Sequence, residues 1–440
     1  MKVNRQRYTL LLYLAAPIVV VMLVWKLCRH PALRTRWLEW TGRFPHVPAQ
    51  PPLRPVIFHA VSLGEVHAAS PPIEAFMTAH PDIPVLVTCS SLTGSQRIQA
   101  LFGERVRHVF LPYDFPGAVG RFLDHFDPRL IVILETELWP NLIHHARRRN
   151  VGVVVANARL SERSQRRYAG LGSLVPDMLS EIDCVAAQSA ADAERFRSIG
   201  RPAAVIVTGN LKYDLDPNVD RKAARDLRQS LFGERPVLIA ASTREGEDAK
   251  VLAAFSRIRQ SRPELALVLV PRHPERFQTA ARLFEAAGWS VALCSKLDSH
   301  QASTVDVLVG DSMGELLRYY SLADIAFVGG SLVDTGCQNI IEPAALGLPV
   351  LTGPSRYNFQ QVSDELLRNG AQLVVKDAAA LADCVCRLLD DEAARIAMAQ
   401  AAQRTVHHGK GATVRTLGII EQALGYSLHA VSAPGIAASQ

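Results

Sequence analysis

Cysteine is scarce and scattered in this chain. The seven cysteines (Cys28, Cys89, Cys184, Cys294, Cys337, Cys384 and Cys386) are odd in number and sit mostly inside apolar stretches. That excludes a disulfide scaffold and suits a reducing compartment. Cys384-Val385-Cys386 is too tight for a CxxC motif and reads as packing on a helix. Long basic runs, zinc-finger spacing and the aromatic-rich ribonucleoprotein motif are also missing, so nucleic acid is not an expected partner. No histidine pair stands at ligand spacing beside the short acidic motifs Glu135-x-Glu137 and Asp214-Leu215-Asp216. No bound metal or cofactor is therefore expected, and Asp214 to Asp216 reads as a solvated turn. Charged residues are only 20% of the 440 against 48% hydrophobic, which excludes a disordered chain. The net charge of +6 suits anionic partners such as phosphorylated substrates or anionic lipid.

One long, strongly apolar run lacks charge altogether. Residues 8–25 contain none, include Pro17, and are followed by Lys26, Arg29, Arg34 and Arg36, with Lys2, Arg5 and Arg7 ahead. No small-residue cleavage site follows, so the run reads as a membrane anchor and not as a signal peptide. Eighteen residues is a marginal span, and the anchor either crosses once or lies in the interface, with the main body kept on the cytoplasmic side.

Residues 1–48 are thus an anchor with a basic juxtamembrane segment, and 45–55 a proline-rich linker. Short apolar runs then alternate with helical stretches. The runs are 56–61, 85–88, 108–111, 130–134, 152–156, 184–187 and 204–207, followed by 236–240, 265–270, 291–294, 305–309, 325–328, 350–351 and 372–375. The alternation predicts an α/β chain of two Rossmann-like lobes, residues 49–215 and 216–425, facing a cleft, with a flexible tail at 426–440. Ligands would enter at the carboxyl ends of both sheets.

The segment 327–354 is the densest in signals. An apolar strand ends in Gly329-Gly330, which admits a sharp turn and close approach of a ligand. Asn339 reads as the N-cap of a helix through Ala345, with Pro343 in its first turn and Gly347 past its end. Glu342, one turn in, can accept hydrogen bonds from ribose hydroxyls. Further turns at Thr208 to Lys212, Ser242 to Glu247, Pro271 to Pro274 and Gly310 to Glu315 add cations and hydroxyls to the same expected rim of the second lobe.

In the first lobe two acidic turns stand out. Ser62-Leu63-Gly64-Glu65 follows one strand, and Glu135-Thr136-Glu137 follows another. Glu65 reads either as a general base on an acceptor hydroxyl or as an ordinary helix cap. As a base it would be ionised by the helix dipole, without a raised pKa. Arg159 is available to pair with the second turn.

At these residues the chain resembles the 3-deoxy-D-manno-octulosonic acid (Kdo) transferases of lipopolysaccharide inner-core synthesis. The matching segments are Ser62-Leu63-Gly64-Glu65, Leu111-Pro112-Tyr113-Asp114, Glu135-Thr136-Glu137-Leu138-Trp139-Pro140-Asn141, Asn157-Ala158-Arg159-Leu160-Ser161, Leu211-Lys212-Tyr213-Asp214, Val270-Pro271-Arg272-His273-Pro274-Glu275-Arg276-Phe277, Gly310-Asp311-Ser312-Met313-Gly314-Glu315-Leu316 and Phe327-Val328-Gly329-Gly330-Ser331-Leu332. They run in order over nearly the whole chain.

The resemblance implies a GT-B glycosyltransferase, inverting and metal-free, moving Kdo from CMP-Kdo to the lipid A precursor lipid IVA at the inner membrane. It implies that Glu65 is the base and that Glu135 and Lys212 stabilise the transition state. Pro271, Arg272, Met313, Gly314, Glu315, Asn339, Ile340, Ile341 and Glu342 would hold CMP. The chain departs from the family where Gly-Gly-His-Asn-Pro-Leu-Glu is usual: it has Gly336-Cys337-Gln338-Asn339-Ile340-Ile341-Glu342. A divergent paralogue using another CMP-activated sugar, a two-lobed nucleotide-sugar epimerase and an idle CMP-binding membrane scaffold are the alternatives. The epimerase would have no need for the apolar run 8–25, and the scaffold would bind CMP without transferring sugar.

Overall fold

Short β-branched runs bounded by polar turns form strands here because both their faces are covered. The computed structural model describes residues 3–45, 54–214, 220–297 and 305–425. Most of the expected linker (46–53), the chain after Asp214 (215–219) and the expected flexible tail (426–440) lie outside the described residues.

The first lobe holds β1 (Val56–His59), β2 (Val85–Cys89), β3 (Arg107–Phe110), β4 (Leu130–Leu134), β5 (Gly152–Ala158), β6 (Cys184–Ala187) and β7 (Val205–Val207). All pair in parallel, in the order β3-β2-β1-β4-β5-β6-β7. The period of two shows in β1, where Val56 and Phe58 enter one core and Ile57 the core on the other face.

The second lobe holds β8 (Val237–Thr243), β9 (Ala266–Pro271), β10 (Val291–Leu293), β11 (Val307–Val309), β12 (Ile325–Val328), β13 (Val350–Thr352) and β14 (Gln372–Val374). It too is fully parallel, in the order β10-β11-β9-β8-β12-β13-β14. Every apolar run expected to be a strand is one, with ends shifted by a few residues.

Two boundaries differ from expectation. The chain divides into residues 1–214 plus 410–440, and 215–409. The C-terminal helix Ala412–Ala423 therefore belongs to the first lobe, where Ile419 and Ile420 enter the core beside Val154 and Ala156. Asp214 is the clasp for that return: its carboxylate accepts the N–H of Gly411 at 2.6 Å and that of Thr413. It is a helix-capping residue, and the solvated turn expected there is corrected at this position. The segment after the N-terminal helix is likewise part of the lobe, with Leu33, Trp40 and Phe44 buried in its cores.

The N-terminal helix itself, Arg5–Arg29, is capped by Asn4, whose side chain accepts the Arg7 N–H at 3.0 Å. It is long and apolar enough to cross a membrane, and no residue in it is fully buried.

Candidate active site

Strand order reverses between β1 and β4, which are neighbours although two strands separate them in sequence. In open parallel sheets the turns leaving the carboxyl ends of such strands diverge, and here those turns carry the two acidic motifs.

After β1, Ser62 caps the helix Leu63–Ala79 by accepting the Glu65 N–H at 3.3 Å. The Glu65 carboxylate reaches back, accepting the Val61 N–H and the Ser62 hydroxyl, both at 2.8 Å. This is a capping-box variant in which the carboxylate reaches the N–H one residue before the cap, so Glu65 is a cap and also a candidate base. Only 8% of the residue is exposed. Burial pushes its carboxyl up to about 7, against the pull of the Val61 N–H and the Ser62 hydroxyl, and the Glu135 and Glu137 charges push the same way. The expectation that a helix dipole would keep Glu65 ionised at an ordinary pKa is corrected: desolvation outweighs the cap.

Glu135 follows β4 with φ at +57°, a left-handed conformation that costs a non-glycine residue roughly 1–2 kcal/mol. Its Oε1 lies 3.3 Å from Lys212 Nζ. Burial together with the Glu135 charge also raises the neighbouring Glu137 carboxyl.

Lys212 sits on the turn Leu211–Asp214, and four contacts hold that turn. Asn157 Oδ1 accepts the Leu211 N–H at 3.0 Å, and Asn210 Oδ1 accepts the Lys212 N–H at 3.1 Å. Asp214 clasps the C-terminal helix, and Arg415 Nε from that helix donates to the Thr208 carbonyl at 2.7 Å. Thr208 to Lys212 thus belongs to the first lobe, not to the rim of the second where sequence placed it. Lys212 is paired with Glu135, and the Arg159 carbonyl accepts the Thr136 hydroxyl. His59, the last residue of β1, is fully buried, its Nδ1 2.9 Å from Thr88 Oγ1. Burial lowers it to about 4, so it stays neutral at physiological pH.

In the second lobe strand order reverses between β8 and β12. The turns at that point are laced together by Glu247, a residue sequence reasoning treated only as part of a helix cap. Fully buried, it accepts the N–H groups of Arg244 (2.8 Å), Gly330 (2.5 Å), Ser331 (3.0 Å) and Leu332 (2.8 Å). The glycines after β12 are required by this closeness. A Cβ on Gly329 would stand 2.6 Å from Thr243 Cα, and one on Gly330, at φ +76°, 2.3 Å from the Gly336 carbonyl oxygen.

Beside them, Pro271 ends β9, and the Arg272 N–H donates to the Thr243 carbonyl at 3.0 Å. The helix expected from Asn339 begins two residues later, as Ile341–Ala345. Asn339 still caps it, its Oδ1 accepting the Ile341 N–H at 3.0 Å while its Nδ2 donates to Glu342 Oε1 at 3.0 Å. Burial pushes the Glu342 carboxyl up to about 7, opposed by the Asn339 bond and by the positive charge of Arg272. Its Oε2 is buried without a partner among the described residues. Ile340 and Ile341 are buried in the core, so only their backbone is available to a ligand.

Met313, 60% exposed, and Gly314, at φ +86°, follow β11, the neighbour of β9. Glu315 accepts from Ser312 and from Arg318 at 3.1 Å, and the Ser312 hydroxyl holds its carboxyl below the usual range. The structure therefore gathers Glu65, Glu135 and Lys212 in one lobe. In the other it sets Arg272 near Asn339 and Glu342, with Met313, Gly314 and Glu315 on the turn after the strand next to β9.

Two Rossmann-like lobes, each with its polar residues where strand order reverses, make this a protein of the GT-B class. A solved glycosyltransferase from Rickettsia africae shares the fold, with a TM-score of 0.57 at 13% identity over 85% of this chain and all of its own. Residues 35–215 match the family described as 3-deoxy-D-manno-octulosonic-acid transferase (kdotransferase), and residues 249–405 match glycosyl transferases group 1. The 3-deoxy-D-manno-octulosonic acid transferase of Haemophilus influenzae is 37% identical over 94% of this chain and 97% of its own length. That of Bordetella pertussis is 38% identical over 96% and 100%. The chain belongs to the 3-deoxy-D-manno-octulosonic acid transferase family.

Proposed function

We propose that this enzyme is an inverting glycosyltransferase that moves Kdo from CMP-Kdo onto the lipid A precursor lipid IVA at the cytoplasmic face of the inner membrane. The observation that carries the reading is the buried Glu65, its carboxyl pushed up to about 7, in the same lobe as the Glu135–Lys212 pair. A carboxylate poised near operating pH is suited to take a proton from an acceptor hydroxyl as that oxygen attacks the anomeric carbon. The Lys212 ammonium and the Glu135 carboxylate stabilise charge that develops on the sugar and its own carboxylate.

CMP departs with the phosphate oxygen that bonded the sugar. In this reading it is held in the second lobe by Pro271 and Arg272, by Met313 to Glu315, and by Asn339 to Glu342. Arg272 supplies the cation, and the unpartnered Glu342 Oε2 accepts from a ribose hydroxyl. Gln338, where the family usually has histidine, donates to the Gly336 carbonyl at 3.4 Å and keeps a neutral side chain there. No step calls for a metal, and no cofactor is needed beyond the donor.

Mass spectrometry of lipid IVA incubated with the protein and CMP-Kdo tests the reading. A gain of whole Kdo units that is lost in Glu65→Ala is expected. Transfer from a different CMP-sugar alone would replace the donor, and full activity in Glu65→Ala would remove the mechanism.

A further inference from the structure

The N-terminal helix is long and apolar enough to cross a bilayer, yet it touches the first lobe along its whole length. Its half-buried positions are 5, 8, 9, 12, 15, 16, 19, 23, 26 and 27, the spacing of a single helical face. Near its start, Tyr8 Oη donates to Asp114 Oδ2 and Thr9 Oγ1 to Asn141 Oδ1, both at 3.0 Å. Midway, the Tyr13 ring lies 5.3 Å from that of Phe115. At its end Lys26 Nζ donates to the Ser90 carbonyl at 3.0 Å and stands 4.4 Å over the Trp40 ring, while Leu23 and Leu27 pack on the core.

These contacts cover residues 5 to 27, about 33 Å of helix at ~1.5 Å per residue. A bilayer's hydrocarbon is about 30 Å thick, so a helix crossing it would have left a water-facing lobe well before its second end. This helix is bound to the lobe at both ends.

The opposite face has no partner among the described residues. Leu14, Ile18, Val21 and Trp25, at helical spacing, are between 61% and 68% exposed. Cations stand at both ends, Arg5 and Arg7 before the strip and Arg29 and Arg34 after it, and the helix contains no acidic residue. A crossing would carry Arg5 and Arg7 to the far side, whereas a helix lying in the interface keeps Arg7, Arg29 and Arg34 at the headgroups while Arg5 turns to the lobe, its Nη1 3.5 Å from Asn141 Oδ1. An apolar strip between cationic ends is complementary to an anionic phospholipid surface and to its headgroup–acyl boundary.

We infer that the N-terminal helix lies flat between the first lobe and an anionic phospholipid surface, embedding the Leu14, Ile18, Val21 and Trp25 strip in the plane of the membrane without crossing it. Asp114 also accepts the N–H groups of Asn141 (2.9 Å) and Leu142 (2.8 Å), so the docked helix is tied to the segment that follows the Glu135 turn. Membrane contact thereby fixes the orientation of that turn to the lipid surface. The inference deepens the proposed reaction on a lipid acceptor, but its test reads position and not sugar transfer, so either can fail alone.

The full chain is placed in bacterial inner-membrane vesicles, inverted or right-side-out, as Gln6→Cys. It is treated with a membrane-impermeant maleimide, the labelled residue being located by peptide mass and native Cys28 serving as the marker for the far end. Labelling of Gln6→Cys and Cys28 from the same face on which protease digests the lobes is the expected result. Labelling of Gln6→Cys only from the other face, or only after detergent, overturns the inference. In flotation with phosphatidylglycerol-containing vesicles, Leu14→Glu with Val21→Glu should cut the bound fraction by at least ~10-fold while the urea midpoint holds. Undiminished binding would likewise overturn it.

Discussion

Replacing Glu65 by glutamine should move catalysis and stability in opposite directions. The side chain keeps an oxygen for the Val61 N–H and its shape in the capping box, but it can no longer ionise. In the native protein burial raises the carboxyl from 4.5 to about 7. At ~1.36 kcal/mol per unit that is roughly 3 kcal/mol of preference for the neutral form. The folded pKa lies above the unfolded one, so the native state holds the proton more tightly. The associated stability is complete below about 4.5 and is lost as pH rises through about 7. Wild type should weaken across that window and Glu65→Gln should not. Between pH 5 and pH 8 the variant should gain roughly 2–3 kcal/mol on wild type in urea unfolding, and taking the difference cancels the other buried carboxyls. Over the same range wild-type kcat/KM for sugar transfer should rise about tenfold per pH unit and level off near pH 7, where the variant should be at least ~100-fold slower, the gap narrowing toward pH 5 as wild type loses its base. A flat wild-type profile, or a stability difference that ignores pH, would refute the assignment of Glu65 as a buried base.

Glu137→Gln removes one of the charges that raise Glu65, so the acid limb of the rate profile should move to lower pH, read from kcat/KM between pH 5 and 8. Lys212→Met should slow transfer by at least ~100-fold while CMP binding by calorimetry is retained, because Lys212 stands in the other lobe from the Arg272 and Glu342 group. Glu247→Ala leaves four N–H groups, three of them buried, without this acceptor and should destabilise the protein by roughly 3–5 kcal/mol in denaturant titration, with loss of CMP binding. Gly330→Ala meets the Gly336 carbonyl and should abolish CMP binding. Gly314→Ala, with nothing within 4 Å of its Cβ, should cost only the roughly 1–2 kcal/mol of a left-handed alanine.

The strands were legible because a parallel strand covered on both faces is a continuous apolar run, and Leu130–Leu134 announces itself from five residues. Gly329 and Gly330 were legible as a tight turn because glycine is the residue such turns demand. Glu247 was not, since its sequence context is an ordinary first helical turn and three of its four donors come from the loop after β12, more than eighty residues on. The C-terminal helix was misassigned for a related reason. Its apolar pattern says that it packs, and nothing local says on which lobe.

Sequence by itself determined where the strands, turns and caps fall, and which turns carry acids, cations and glycines. Propensity and hydrophobic period act over a few residues, so they can be read off a few residues. Tertiary structure decided which of those turns meet. Placing β4 beside β1 set Glu135 near Glu65, and the Asn157, Asp214 and Arg415 contacts delivered Lys212 to Glu135 from a separation of 77 residues. It also decided how Glu65 titrates, because desolvation depends on everything packed around a carboxyl, and the residues around Glu65 come from distant parts of the chain.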